Sequence, residues 1–462
     1  MSKMRLAFMA GLLLLAALLA GFVSHPGPVK RFFAGRPKPY NVLLIVVDAL
    51  RADHVGAYGY KFPTSPHIDR IAAEGAVFDR CFAPLPMTQP SFSTMFTSLY
   101  PVSHGVLRND VALSSRAVTL AEILRANGFE TAAVVGASNL DTVFNLNQGF
   151  EFYEDSLGHK MDPEIKMVDR MKRWERNAEE VNRLVYGWLD KRSTDRNFFL
   201  MVHYYDPHKP YQPPPPYDSM YPRVTGDKIS EAKALYDGEV AYVDQQIGNL
   251  LEELKKRHLR DNTLILITAD HGEGLGDHNW MTHIWKIYDE AVHIPFIISG
   301  PEISGGKRIA GLVENVDFTP SILEYLNIPL QPQFQGRSLL PLLHGTKEIR
   351  EYVMLEKAKP PWNFKELEPD WQKFPYSQWA IRTTTEKFIW SSDRKHEYYD
   401  LVQDPQELHN LFAVQHERAM NLFQRGAAFR ALFPRYNLVA PAVRTKGGNA
   451  PDEALKALGY IN

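Results

Sequence analysis

Cysteine is nearly absent from this chain. One residue, Cys81, in 462 excludes an intrachain disulfide and a cysteine zinc cluster. A sole cysteine usually packs as a small hydrophobe, and Cys81 is expected to do so. Neither sign of charge is in excess: 52 Lys and Arg against 54 Asp and Glu leave a formal charge of -2. Nucleic acid therefore finds no basic excess to bind, and no acidic block forms a solvating tail. There is no internal repeat and no low-complexity stretch. With 45% hydrophobic and 23% charged residues, the composition is that of an ordinary globular protein.

Long apolar runs are scarce as well. The N-terminal one, residues 6–23, follows Lys3 and Arg5. Its length lies between a signal-peptide core and a short transmembrane helix, and the charge before it predicts export of the rest. Residues 1–24 are read as an uncleaved signal-anchor, with a cleaved signal peptide and secretion as the alternative. Leu19-Ala20-Gly21 has the look of a lipoprotein site, but Phe22 stands where the cysteine would be. Residues 25–40, with Pro26, Pro28, Pro37 and Pro39, read as a tether. The folded part is thus expected outside the cytoplasm, periplasmic or extracellular, and held to the membrane by its N-terminus.

Short apolar runs follow at 42–47, 131–135, 198–202, 263–268 and 294–298, each of a length and composition suited to a buried parallel strand. Helical patterns cover 65–74, 120–127 (with Gly128 as C-cap), 163–190, 229–257 and 319–326. Strands alternating with helices predict an open, mostly parallel α/β sheet covered on both faces, over residues 41–345. Beyond it, short strands at 352–356, 379–383, 387–390 and 397–401 precede a helical stretch through 430. Residues 346–462 are read as a small C-terminal α+β subdomain and tail.

Acidic and histidine residues gather just after the apolar runs. Ligands of open α/β sheets bind outside the carboxyl ends of the strands, so Asp48, His208, Asp270 and His271 are expected to converge on one edge. Thr88, after a loop with Pro84 and Pro86 and before a helical stretch at 93–99, sits near a helix N-terminus, where an anion or developing alkoxide is favoured. A threonine hydroxyl is a poor nucleophile without a metal or a base. Asp48, Asp270 and His271 supply hard oxygen and imidazole ligands that, with Thr88, would surround one divalent cation. The bland alternatives are a plain threonine N-cap, and a helix N-cap and turn at Asp270-His271-Gly272-Glu273. His208, stiffened by Pro207 and Pro210, and His283 are candidates to protonate the leaving oxygen or to bind the ester oxygens. Lys286 is a weaker candidate, and His203, His278 and His293 are read as structural.

These residues sit in motifs that resemble the sulfatase family of the alkaline phosphatase superfamily. The resemblance starts at residues 41–48, Arg51-Ala52-Asp53-His54 and Tyr58-Gly59-Tyr60, and continues through Thr64-Ser65-Pro66-His67-Ile68-Asp69-Arg70-Ile71-Ala72. It runs on through Thr97-Ser98-Leu99-Tyr100-Pro101, His104-Gly105-Val106, Asp270-His271-Gly272-Glu273 and Gly276-Asp277-His278. Tyr288-Asp289-Glu290, Asp317-Phe318-Thr319-Pro320, Gly336-Arg337-Ser338-Leu339, Trp379-Ala380-Ile381-Arg382 and Tyr399-Asp400-Leu401 follow in the family's order, over roughly residues 40–412. It implies an alkaline-phosphatase-like, mostly parallel sheet sandwiched by helices. It also implies metal binding by Asp48, Asp270 and His271, Thr88 as nucleophile, and ester-binding or leaving-group roles for His208 and His283.

The departures bear on the substrate. Formylglycine sulfatases carry Cys-x-Pro-x-Arg; here Thr88 stands at the cysteine and Phe92 at the arginine, and Cys81 lies outside the motif. Ala49 replaces a second aspartate and His271 the usual asparagine, which shifts the metal preference from calcium towards manganese or zinc. A sulfated threonine has no easy elimination route, so a phosphate mono- or diester cleaved through phospho-threonine is expected. The alternatives are a sulfuric ester hydrolase, a membrane phosphoglycerol- or phosphoethanolamine-type transferase, and an inactive anion-binding protein. Expected partners are a small-molecule, glycan or lipid-headgroup ester and the membrane, with no nucleic acid.

Overall fold

Asn41–Val47 (β1) is an unbroken apolar run, and every one of its residues is buried, as a strand covered on both faces must be. It lies between Phe198–Tyr204 (β5) and Thr263–Ala269 (β6), parallel to both. The register places Val47 beside Tyr204 and Ala269, so the carboxyl ends of the three central strands coincide. The computed structural model describes residues 38–109, 111–157, 175–359, 376–436 and 438–439. The segment expected as signal-anchor, most of the expected tether, residues 163–174 of one expected helix and the end of the tail lie outside them. Among the described residues, no helix is long and apolar enough to cross a membrane.

Around this centre a nine-stranded sheet is built. Glu130–Val134 (β3) and Phe152–Glu154 (β4) extend it beyond β5, all parallel. On the other side come His293–Ile294 (β7) with Phe296–Ser299 (β8), then Ala76–Phe82 (β2) and Lys307–Glu314 (β9). The α/β expectation holds, with one correction: the run at 294–298 is antiparallel to β6 and β2 and is broken at Pro295. Proline has no N–H for the ladder. The chain between β6 and β8 also holds no helix longer than the single turn Asp289–Val292, so it makes a return rather than a parallel crossover.

Helices flank the sheet: Pro66–Glu74 (α1), Thr88–Thr97 (α2), Leu120–Ala126 (α3), Ala178–Leu189 (α4), Lys228–Lys256 (α5) and Phe318–Tyr325 (α6). Asp227 caps α5 by accepting from the N–H groups of Ile229 and Ser230, and Lys255 and Lys256 sit in its last turn, where the helix dipole favours cations. All ten residues of α2 are buried. A helix enclosed on every side can carry a hydroxyl to a fixed place, and α2 begins at Thr88 itself rather than at 93.

A second, antiparallel sheet orders Val353–Lys357 (β10), Gln378–Arg382 (β11), Glu386–Ser391 (β12) and Glu397–Asp400 (β13). His416–Ala431 (α7) covers one face through Ala419 and Leu422 against Trp379, Ile381, Phe388 and Tyr398. The other face, with Leu355, Ala380, Ile389 and Tyr399, meets Phe82, Ile287, Val292 and Leu312 of the main domain.

Candidate active site

Asp48 follows β1 and Asp270-His271 follow β6, so the shared register delivers them side by side. One ligand atom from each of Asp48, Asp270 and His271 lies within 4.8 Å of the others, and all three residues are buried. Each has one polar atom engaged by the protein and one left over. Asp270 Oδ1 accepts from the N–H groups of Ala49 (3.2 Å) and His271 (2.9 Å). His271 Nδ1 donates to the Gly272 carbonyl at 2.9 Å, which leaves its lone pair on Nε2. Among the described residues, Asp48 Oδ1, Asp270 Oδ2 and His271 Nε2 have no hydrogen-bond partner.

Buried polar atoms without partners are costly, and three of them facing one another need an explanation. Burial and the neighbouring Asp270 charge push the Asp48 carboxyl well above its usual range. The His271 imidazole is raised despite its burial, because Asp270 and Asp48 favour its cation. A divalent metal would account for the arrangement: two carboxylate oxygens and an imidazole nitrogen are hard and borderline ligands that could neutralise its charge. Ala49 adopts φ 55, a left-handed conformation uncommon outside glycine, and this turns its N–H onto Asp270.

Thr88 opens α2, where the first N–H groups of a helix have no internal partner. Its Oγ1 is buried and has no hydrogen-bond partner among the described residues. One turn on, Ser91 Oγ donates to the Asp270 carbonyl at 2.7 Å and accepts from Asn315 Nδ2 at 2.8 Å, docking the helix start onto the Asp270 loop.

His283 stacks on His271 with ring centroids 3.9 Å apart, and the His208 ring meets His283 edge-on at 5.3 Å. Glu273 Oε1 lies 3.3 Å from His283 Nδ1, the arrangement that holds the proton on Nδ1 and makes Nε2 the basic nitrogen. Burial, followed by the His271 ring, pushes His283 well below its ordinary value. Burial, followed by His283, pushes His208 down to about 3. Asp48, Asp270 and His271 thus form one group, and His283 and His208 a second that meets it through the His271 ring, while Thr88 heads the helix that Ser91 docks onto the Asp270 carbonyl. Lys286 does not join them in the same way; its Nζ donates to the His278 carbonyl.

Two residues escaped the sequence. His203, read as structural, is fully buried with Nε2 3.2 Å from Asp48 Oδ2. Its place at the end of an apolar run, one strand from Asp48, was the available signal. Asn109 accepts from the Gln89 N–H at 2.9 Å, next to Thr88, and its Nδ2 has no hydrogen-bond partner among the described residues. Nothing in the local pattern around Asn109 marks it.

Comparisons with known proteins agree with this architecture. The family model described as Sulfatase matches residues 40–328, and one described as N-sulphoglucosamine sulphohydrolase, C-terminal, matches residues 276–425. An arylsulfatase of Clostridium perfringens is 26% identical over 446 residues, covering 80% of this chain and 90% of that protein. The multifunctional alkaline phosphatase superfamily protein PehA of Trinickia caryophylli is 25% identical over 472 residues, covering 80% and 91%. Among solved structures, one in complex with D-glucosamine-2-N,6-O-disulfate superposes with a TM-score of 0.74 at 21% identity, covering 85% of this chain and 98% of that one. The phosphonate monoester hydrolase of Agrobacterium radiobacter gives 0.70 at 22% identity, covering 85% and 96%. At these identities the structural likenesses bear on the fold.

Proposed function

Because the chain belongs to the sulfatase family of hydrolases, we propose that it is a metal-dependent esterase cleaving a phosphate mono- or diester through a Thr88 phospho-enzyme. The observation that carries this reading is a set of four buried atoms with no hydrogen-bond partner among the described residues: Asp48 Oδ1, Thr88 Oγ1, Asp270 Oδ2 and His271 Nε2. Asp48, Asp270, His271 and Thr88 would hold one divalent ion, manganese or zinc before calcium because His271 supplies an imidazole. Such an ion, when bound, lowers the pKa of a ligating hydroxyl and offsets charge on the ester.

The chain's own residues supply the rest. The N-terminus of α2 favours negative charge at Thr88, whose oxygen bonds to phosphorus as the bond to the leaving oxygen breaks. His283, with Glu273 holding its Nδ1 proton, takes a proton on Nε2 and returns it to the leaving oxygen; His208 beside it binds the ester oxygens or shares that task. Asn109 Nδ2 is a neutral donor to a non-bridging oxygen. Water then attacks phosphorus, the threonine oxygen departs, and Thr88 is regenerated. We place the domain outside the cytoplasm on an N-terminal anchor, from the apolar run at 6–23.

The names of the relatives favour a second reading, a sulfate ester. Thr88 in place of a cysteine favours phosphorus. The test is turnover of matched aryl phosphate monoesters, diesters and sulfates by the full chain with manganese, zinc or calcium, beside Thr88→Ala. Phosphoester turnover abolished in the variant is expected. Turnover of sulfate esters alone would overturn the substrate assignment.

A further inference from the structure

We propose that His203 is the positioning residue that makes Asp48 a one-oxygen metal ligand, a role that rests on the metal-centre reading above. The argument is one of tautomers. His203 sits on β5 directly beside Val46 of β1, fully buried. The Gly136 N–H donates to its Nδ1 at 3.3 Å. A backbone N–H can only donate, so Nδ1 carries the lone pair, and a neutral imidazole must then hold its proton on Nε2. Nε2 is 3.2 Å from Asp48 Oδ2, so the ring donates to that oxygen and occupies it. Asp48 Oδ1 alone remains to face Asp270 and His271.

Phe92 explains why an imidazole does this work. It stands where the formylglycine motif has arginine, it is fully buried, and its ring meets His203 edge-on at 5.4 Å and 86°. Among the described residues, the ion pairs of Asp48 involve only His203 and His271, never lysine or arginine. The phenyl ring walls the histidine off on that side and offers it no competing acceptor. The second oxygen of the carboxylate is thus held by a neutral donor, and among the described residues no lysine or arginine competes with a metal for its charge. Such outer partners of a ligand are worth 10- to 100-fold in metal affinity, to order of magnitude.

The experiment is manganese titration by calorimetry of the full chain as wild type, His203→Leu and His203→Gln. Glutamine can present an amide donor near the Nε2 position, so it restores the function; a purely space-filling role would favour leucine. The expected result is about 10- to 100-fold weaker manganese binding in the leucine variant, recovery to within about threefold with glutamine, and similar unfolding midpoints of the metal-free proteins. Wild-type affinity in His203→Leu overturns the proposal while leaving the metal centre standing. Failure of the wild type to bind manganese, zinc or calcium sinks the metal centre first. If the leucine variant does not fold, nitrogen NMR of histidine-labelled wild type decides: the Nε2–H tautomer at His203 is expected, and the Nδ1–H tautomer overturns the role.

Discussion

Lys387 of the second sheet reaches Asp289 of the main domain at 2.9 Å, with no exposed surface of its own. The same ammonium meets Glu407 at 2.7 Å, and Arg382 also pairs with Asp289 at 2.8 Å. Asp289 is held below the usual carboxylate range, against its burial, by Arg382 and Lys387. The adjoining Glu290 and Ala291 carbonyls accept from the N–H groups of Glu273 and Gly272, so this network braces the loop that carries Asp270 and His271.

Removing one member of a buried ion pair strands the others. Lys387→Met is expected to cost about 3–5 kcal/mol of stability. Urea denaturation checks this, and a loss under about 1 kcal/mol would show that the network is dispensable.

Loading the metal centre should stabilise the fold, because a dication relieves the raised Asp48 carboxyl and engages atoms with no hydrogen-bond partner among the described residues. With free manganese or zinc at a thousandfold its dissociation constant, linkage gives about 4 kcal/mol. Thermal unfolding with and without metal, reversed by a chelator, is the measurement. Asp270→Asn should abolish the shift.

His283→Ala should lower kcat by about 10²- to 10⁴-fold, the usual range for a positioned acid or base. Glu273→Gln should lower it less and leave metal stoichiometry at one, since Glu273 acts through His283. Unchanged kcat in His283→Ala would remove that residue from the mechanism.

Acid should destabilise the protein through His104. Its Nδ1 accepts from the Val106 N–H at 3.0 Å and its Nε2 meets Thr94 Oγ1 at 3.0 Å. Burial pushes it down to about 3 from an ordinary 6.5. Below pH 6.5 the unfolded chain takes up a proton that the folded chain refuses. Stability present above that pH is therefore lost as pH falls towards 3, by about 1.4 kcal/mol per unit. His104→Gln retains a donor for Thr94 and removes this titration, so its stability should fall less steeply between pH 6 and 4. Equal slopes in the two proteins would refute the assignment.

Much of this was legible in the chain because apolar runs buried on both faces read plainly. β1, β5 and β6 are almost purely aliphatic or aromatic, and the charged residues that end them mark the carboxyl edge. β2 and β9 were not legible. Asp79 and Arg80 interrupt the first, where the register shifts between Phe78 and Arg80, and the first half of β9 alternates between half-buried and exposed.

Asp48, Thr88, Asp270 and His271 can be picked out from the chain alone as candidates for chemistry, since they stand beside strand ends and a helix start that local pattern reveals. The partner of each atom emerges only from the folded arrangement. Whether Asp48 offers one oxygen or two depends on His203, 155 positions away, and on a strand register that aligns Val46 with it. Such pairings are set by packing between distant segments, and hydrophobic periodicity carries no record of them.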